Sequence, residues 1–209
     1  MAGGDASGQT SPVPRRPAVS PAVTVRPARS ADLPALARLG AKLARAHHAW
    51  DPERFFAPEE PLEDGYAWWL GKELLNPRAV VLAAVARRGR VVGYAYGRIE
   101  PRDWNSLRDR CGVGVDLWVE PNARRSGVGR RLVEALVAAL AERGAPRVVI
   151  GVAARNRDAQ RVFARMGFRR TVVELTREVA APARARPRRA APRREGPRRS
   201  LGAQLQRTT

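Results

Sequence analysis

Cysteine, lysine and histidine are nearly missing from this chain of 209 residues: Cys111, Lys42, Lys72, His47 and His48 are the full complement. A lone cysteine excludes an intrachain disulfide and a cysteine-rich metal site, and no other metal constellation takes its place. No apolar run approaches the roughly 18 residues that span a bilayer, and the Pro- and Ser-bearing N-terminus lacks the continuous apolar stretch of a secretion signal. The expectation is a cytoplasmic protein without a membrane partner. No serine or cysteine triad has local support, so hydrolase chemistry ranks low.

Arginine is what the chain has in excess, and the formal net charge is +19. Much of it sits in residues 181–209, where nine Arg and one Glu give +8 in a stretch otherwise rich in Ala and Pro. Such a segment has too little apolar surface to offset the entropy of ordering it, so it is expected to be disordered, as are residues 1–21. Residues 22–180 then form one domain, of ordinary size for a single core. Two readings of the tail stay open. It is a solvated tail with no dedicated partner, or it attaches to nucleic acid through counterion release. Nucleic acid enters the account through the tail only.

Between the tails, periodicity predicts an alternation of strands and helices. Val23–Pro27 is a strand, and Ser30 or Asp32 caps a helix whose Leu33, Leu36, Leu39 and Leu43 recur at helical spacing and which ends near His47-His48. A second helix covers about Pro61 to Leu75. Ala79–Ala86 and Val91–Ile99 are strands joined across Arg87-Arg-Gly89-Arg, a hairpin signal. Strand Val113–Val119, helix Val128–Arg143, strand Arg147–Val152, helix Arg157–Met166 and a final strand Phe168–Val179 follow. The class is α/β with a mixed, mostly antiparallel central sheet flanked by helices.

The most informative stretch runs from Val113-Gly-Val-Asp-Leu-Trp-Val119 through Glu120-Pro121 into Arg124-Arg-Ser-Gly127-Val-Gly129 and directly into a helix. The first N–H groups of a helix lack intrahelical partners and the dipole there is positive, so this entry makes a cradle for a pyrophosphate. Arg130-Arg131 stand where a P-loop needs Lys-Ser/Thr, and Leu132 stands where a dinucleotide fingerprint needs its third Gly. The loop resembles the acyl-CoA-binding motif of the GNAT superfamily of N-acyltransferases, whose Gln/Arg-x-x-Gly-x-Gly/Ala pattern Arg124, Gly127 and Gly129 match. A second block strengthens the resemblance: Asn156-Arg-Asp-Ala159 continuing to Phe163-Ala-Arg-Met-Gly167-Phe168 is similar to the family's Asn-x-x-Ala…Tyr-x-x-x-Gly-Phe segment.

The resemblance implies an N-acetyltransferase that uses acetyl-CoA as donor and passes its acetyl group directly to an amine. It implies that the N–H groups of Leu117 and Val119 meet the pantetheine arm and acyl carbonyl. It also implies that Arg124, Arg125, Ser126, Gly127, Val128, Gly129 and Arg130 hold the pyrophosphate, with Asn156 and Phe163 beside the arm. Phe163 departs from the pattern, since many members carry there a Tyr that protonates the departing thiolate. Tyr94 and Tyr96 are alternatives for that proton, although strand tyrosines are more often packing residues. The family's histone-acetylating members have a Glu where this chain has Val113, so the base must be found elsewhere. Asp116 and Glu120 share a strand face with Trp118 because side chains two apart point the same way. Both are catalytic candidates, Asp116 preferred, with His48 a third.

For the acceptor the sequence offers one cluster: Asp51, Glu53, Glu59, Glu60, Glu63 and Asp64, six of the chain's 20 acidic residues. These carboxylates, Glu59, Glu60 and Glu63 above all, are expected to attract a cationic amine on a small molecule or protein; the alternative is a solvated helix entrance. Trp118, with Trp104 and Trp68 or Trp69, is expected to supply apolar walls. A binding protein on the same fold, which senses acyl-CoA without turnover, is the rival reading, and monomer and homodimer both stay open.

Overall fold

The structure is a computed structural model that describes residues 23–58 and 61–179. Five strands, β1 (Thr24–Pro27), β2 (Ala79–Val85), β3 (Val91–Glu100), β4 (Cys111–Val119) and β5 (Val148–Ile150), form one sheet in the order β1-β2-β3-β4-β5. The first four pair antiparallel, and β5 joins β4 in parallel. β2–β3 and β3–β4 are linked by a short turn and a loop, β1 and β2 are joined through a long connection that holds two helices, and the parallel pair needs a helical crossover. That crossover is α3 (Val128–Glu142).

Helices cover both faces. On one side α3 packs Leu132, Leu136 and Leu140 against Val80, Leu82, Ala95 and Val119 of the sheet. On the other, α1 (Leu33–Trp50) and α2 (Leu62–Glu73) bring Leu36, Leu39 and Leu70 onto Val81, Ala83, Tyr94 and Tyr96. The fourth helix, α4, spans Arg157–Arg165. α1 and α3 have the apolar recurrence that predicted them, because burying one stripe is what stabilises a short helix in water, whereas α2 buries Leu70 alone.

α1 ends at Trp50 with His47 and His48 in its last turn, and His47 stacks edge-on with both Trp50 and Phe55. Two expectations are corrected. Asp32 precedes α1 without capping it; its carboxylate instead accepts from Arg29 N–H at 2.8 Å and from the Arg26 guanidinium at 2.7 and 3.0 Å. The Arg26 guanidinium beside it holds Asp32 below the usual carboxylate range. The final strand Phe168–Val179 does not form. A strand exists only by pairing, and β5 offers three residues and keeps β4 as its one neighbour in the sheet, so the Val172 and Val173 side chains stay exposed. The expected tails, residues 1–21 and 181–209, lie outside the described residues.

No helix among the described residues is long and apolar enough to cross a membrane. Among the same residues no group of His, Cys, Asp and Glu is placed to hold a metal ion.

Candidate acyl-transfer site

The site is organised by one extra residue in β4. Pairing with β3 runs Tyr96↔Asp116 and then Gly97↔Gly114, which leaves Val115 as a bulge. A bulge shifts the alternation of a strand by one position. Before it, Gly112 and Gly114 face Leu140 and Leu136 of α3. After it, the odd residues Leu117 and Val119 face α3, and Trp118 packs with the α1/α2 side. Asp116, two residues from Trp118, is thereby turned toward α1 and α2.

The same shift re-aims the backbone. Glu120 N–H donates to Val92 O at 2.8 Å, so by antiparallel alternation Trp118 and Asp116 also bond to β3. The N–H and C=O groups of Leu117 and Val119 point the other way, toward the β5 side. There β5 has already ended, since its pairing stops at Gly114↔Ile150. Val119 O is taken by the Arg124 Nε–H at 2.8 Å, which confirms the direction. Two backbone donors thus face the side of β4 on which strand pairing has ended.

After β4 comes the helix entry. Gly127 is the N-cap of α3 at φ 81°, a left-handed conformation that costs a residue with a Cβ roughly 1–2 kcal/mol. A Cβ at Gly127 would meet nothing within 4 Å, and one at Gly129 only Val119 Cγ2 at 3.7 Å. Among the described residues nothing fills the space over these two positions, which leaves it open to a ligand. The first turn of α3 holds no acidic residue. Arg125 is exposed, Ser126 Oγ–H donates to Ala123 O at 2.8 Å, and Val128 anchors the turn in the core. Arg130 donates to Glu134 at 2.7 Å on the exposed helix face, and the Arg124 guanidinium lies 4.8 Å over the Trp118 ring.

On the α1/α2 face, Asp116 accepts a 2.7 Å hydrogen bond from the Tyr94 hydroxyl. Desolvation pushes the Asp116 carboxyl above its ordinary pKa, against the opposing pull of the Tyr94 bond and the nearby His47. The fully buried Tyr94 is itself held well above the usual phenol value by burial and then by Asp116. Tyr66 on α2 is shifted upward for the same two reasons, so Asp116, Tyr94, Tyr66 and His47 form one cluster. Trp118 adds a buried indole N–H with no partner among the described residues.

Other sequence candidates are placed differently. Glu120 is bound to Lys42 Nζ at 2.6 Å, which ties the end of β4 to α1. Glu63 accepts from both Arg45 guanidinium nitrogens at 2.8 and 3.2 Å, which ties α2 to α1. Glu59 and Glu60 lie outside the described residues. Asn156 caps α4, its Oδ1 accepting from Ala159 N–H at 3.1 Å. Phe163 is buried and meets Phe168 edge-on with ring centres 5.5 Å apart. The Tyr96 hydroxyl donates to Glu73 at 2.6 Å, and His48 Nδ1 lies 3.0 Å from Phe55 O. Trp104 is exposed in the β3–β4 loop, and Trp68 is exposed with Lys72 Nζ 3.7 Å over its ring.

Sequence reasoning overlooked His47 and Tyr66, and it left Trp68 and Trp69 unseparated. A signal existed for Tyr66: it lies one turn before Trp69 on α2, and Gly40 of α1 is the small residue that admits its ring. A Cβ there would come within 2.3 Å of Tyr66 Cδ1. Phe56, Leu62, Gly65, Tyr66 and Trp69 line a shallow cavity of about 210 Å³ beside this cluster.

A family model described as the acetyltransferase (GNAT) family matches residues 43–168. The chain belongs to this family. The match takes in β4, its bulge, the glycine loop and α4. The mycothiol acetyltransferase of Streptomyces bingchenggensis is 30% identical over 152 residues, which are 73% of this chain and 44% of that protein. The chain thus spans less than half the length of that relative. The GNAT fold also appears in solved structures. The aminoglycoside N-acetyltransferase AAC(6')-Iy in complex with CoA superposes with a TM-score of 0.62 at 19% identity, covering 81% of this chain and 99% of that one. A predicted acetyltransferase of Clostridium acetobutylicum with acetyl-CoA gives 0.58 at 18%, covering 74% and 96%.

Proposed function

We propose that this GNAT protein is an N-acetyltransferase that moves the acetyl group of acetyl-CoA to an amine by direct attack. The observation that carries the reading is the Val115 bulge. It sends the Leu117 and Val119 backbone toward the side of β4 on which strand pairing has ended while turning the Asp116 carboxylate to the opposite helices. One strand then presents donors for a thioester and a base for an amine within four residues.

Acetyl-CoA, when bound, supplies an activated acetyl thioester. The free N–H groups at the start of α3, with Arg124 and Arg125 nearby, carry positive potential to which a diphosphate fits. The Leu117 and Val119 N–H groups are aimed to hold the arm and to polarise the acyl carbonyl, the kind of fixed dipole that contributes most to such reactions. Asp116 takes the proton from the acceptor nitrogen as the N–C bond forms and the C–S bond breaks. Tyr94 keeps the carboxylate in place. The sulfur leaves as a thiolate, a tolerable leaving group because a thiol pKa is only about 8.5. Phe163 has no proton to give and is packed into the hydrophobic contact with Phe168.

Phe163 favours the second reading, an acyl-CoA-binding protein without turnover. Incubating the full chain with acetyl-CoA and a panel of primary amines separates the two. Amine-dependent release of free CoA supports the enzyme; saturable acetyl-CoA binding with no release from any amine supports the binding protein. We place the catalytic domain at residues 22–180.

A further inference from the structure

We propose that the acceptor is an amine carrying an aryl or comparably bulky apolar group, and that the cavity of Phe56, Leu62, Gly65, Tyr66 and Trp69 takes that group. The inference rests on the acetyltransferase reading for what happens to the amine, but the binding it describes is measurable without turnover.

The cavity has the size and lining for such a group. Its volume is about 210 Å³, and apart from the Tyr66 hydroxyl and the Trp69 indole N–H its side chains offer only carbon. Phe56 is 73% exposed, a large apolar residue left in water at the mouth. Trp69 and Tyr66 fix the floor: their rings meet at 5.8 Å, and Trp69 meets the buried Tyr96 at 4.9 Å, both edge-on. Rings so held are pre-organised, and a flat apolar guest gains dispersion and water release there without ordering the host.

The cavity also has a direction. Tyr66 and Trp69 of its wall pack in one cluster with Tyr94, whose hydroxyl holds Asp116 at 2.7 Å, and the Trp69 ring meets Tyr96, the residue paired with Asp116 across β3 and β4. A ligand whose apolar end lies against Tyr66 and Trp69 thus has its other end toward a desolvated carboxylate, the natural partner of an ammonium. Desolvation strengthens that attraction relative to an exposed carboxylate. An amine with no apolar body uses only half of this arrangement.

Gly65 supplies the test. It lines the cavity from the first turn of α2, and a Cβ added there meets nothing within 4 Å. Gly65→Leu fills the cavity, and it improves helix propensity, so folding is retained. The probes are 2-phenylethylamine and n-propylamine, equal in charge. Binding is followed by calorimetry and by quenching of tryptophan fluorescence, with Tm measured alongside. The wild-type chain is expected to bind 2-phenylethylamine about tenfold or more tightly than n-propylamine, as burial of part of a phenyl ring provides. Gly65→Leu, with Tm at or above wild type, is expected to abolish that preference. Equal binding of the two amines by the wild type, or a preference that Gly65→Leu leaves intact, overturns the assignment. CoA release is then scored separately. Preferential binding without release would overturn the enzymatic reading and keep the pocket, and release without preference would do the reverse.

Discussion

Asp116 and Asp32 show how one residue type acquires opposite behaviour from its surroundings. Asp116 is desolvated and its proton is held too tightly, whereas Asp32 is fixed by Arg26 and loses its proton too easily. For Asp116 the folded state binds the proton more strongly than the unfolded chain. Its favourable contribution is complete below the ordinary carboxylate pKa and is lost as pH rises through the raised folded value. Asp32 contributes above the ordinary value and loses that contribution as pH falls through its depressed one. Asp116→Asn removes the first effect, so the Tm of the variant relative to wild type is expected to rise between pH 4 and pH 7. Thermal melts across that range check it, and a flat difference would show that the carboxyl is not desolvated. As the base, Asp116 acts only when ionised, so kcat/KM should climb with pH through a value above that of an ordinary Asp. Asp116→Asn should lower kcat/KM by about 10²–10⁴ and flatten that limb, with acetyl-CoA affinity unmoved. A variant that keeps wild-type kcat/KM and pH profile would remove Asp116 as base.

At the scale of elements, the loop before α3 separates conformation from access. Gly127→Ala places a Cβ at φ 81° and should destabilise the chain by about 1–2 kcal/mol in denaturant melts. Gly129→Glu meets no close neighbour, so its stability should match wild type, while acetyl-CoA affinity falls by an order of magnitude or more by calorimetry through steric block and like-charge repulsion. Unchanged affinity in Gly129→Glu would remove the phosphate assignment. Strands β1 to β5 and all four helices were legible from apolar period, turn residues and helix-entry signals. The glycine loop was legible because its chemistry is local. The Val115 bulge was not, because the run Val113–Val119 alternates the same way whether or not β3 skips a residue opposite it. The failed strand after Phe168 has the complementary cause: its sequence pattern suits a strand, but pairing is a property of the neighbour. His47, Tyr66 and the cavity meet only through the packing of α1 on α2, which no local window contains.

For the whole molecule, composition and fold speak to different partners. The net charge of +19 is concentrated partly in residues 181–209, while the groups proposed for acyl transfer lie on β3, β4, α1, α2 and the entry to α3. Deleting residues 181–209 is expected to leave turnover near that of the full chain and to weaken any DNA binding seen at low salt, with a shallower salt dependence. A truncated protein that fails to fold, or that loses turnover, would show that the tail belongs to the working domain. The central claim is that a strand, its bulge and a helix entry transfer an acetyl group to an amine. It is tested most directly by measuring free CoA thiol as the full chain is given acetyl-CoA and 2-phenylethylamine, with Gly129→Glu in parallel. The account predicts release that saturates in both substrates and falls sharply in the variant at low acetyl-CoA. Release absent with every primary amine tried, from a chain that binds acetyl-CoA, would contradict it.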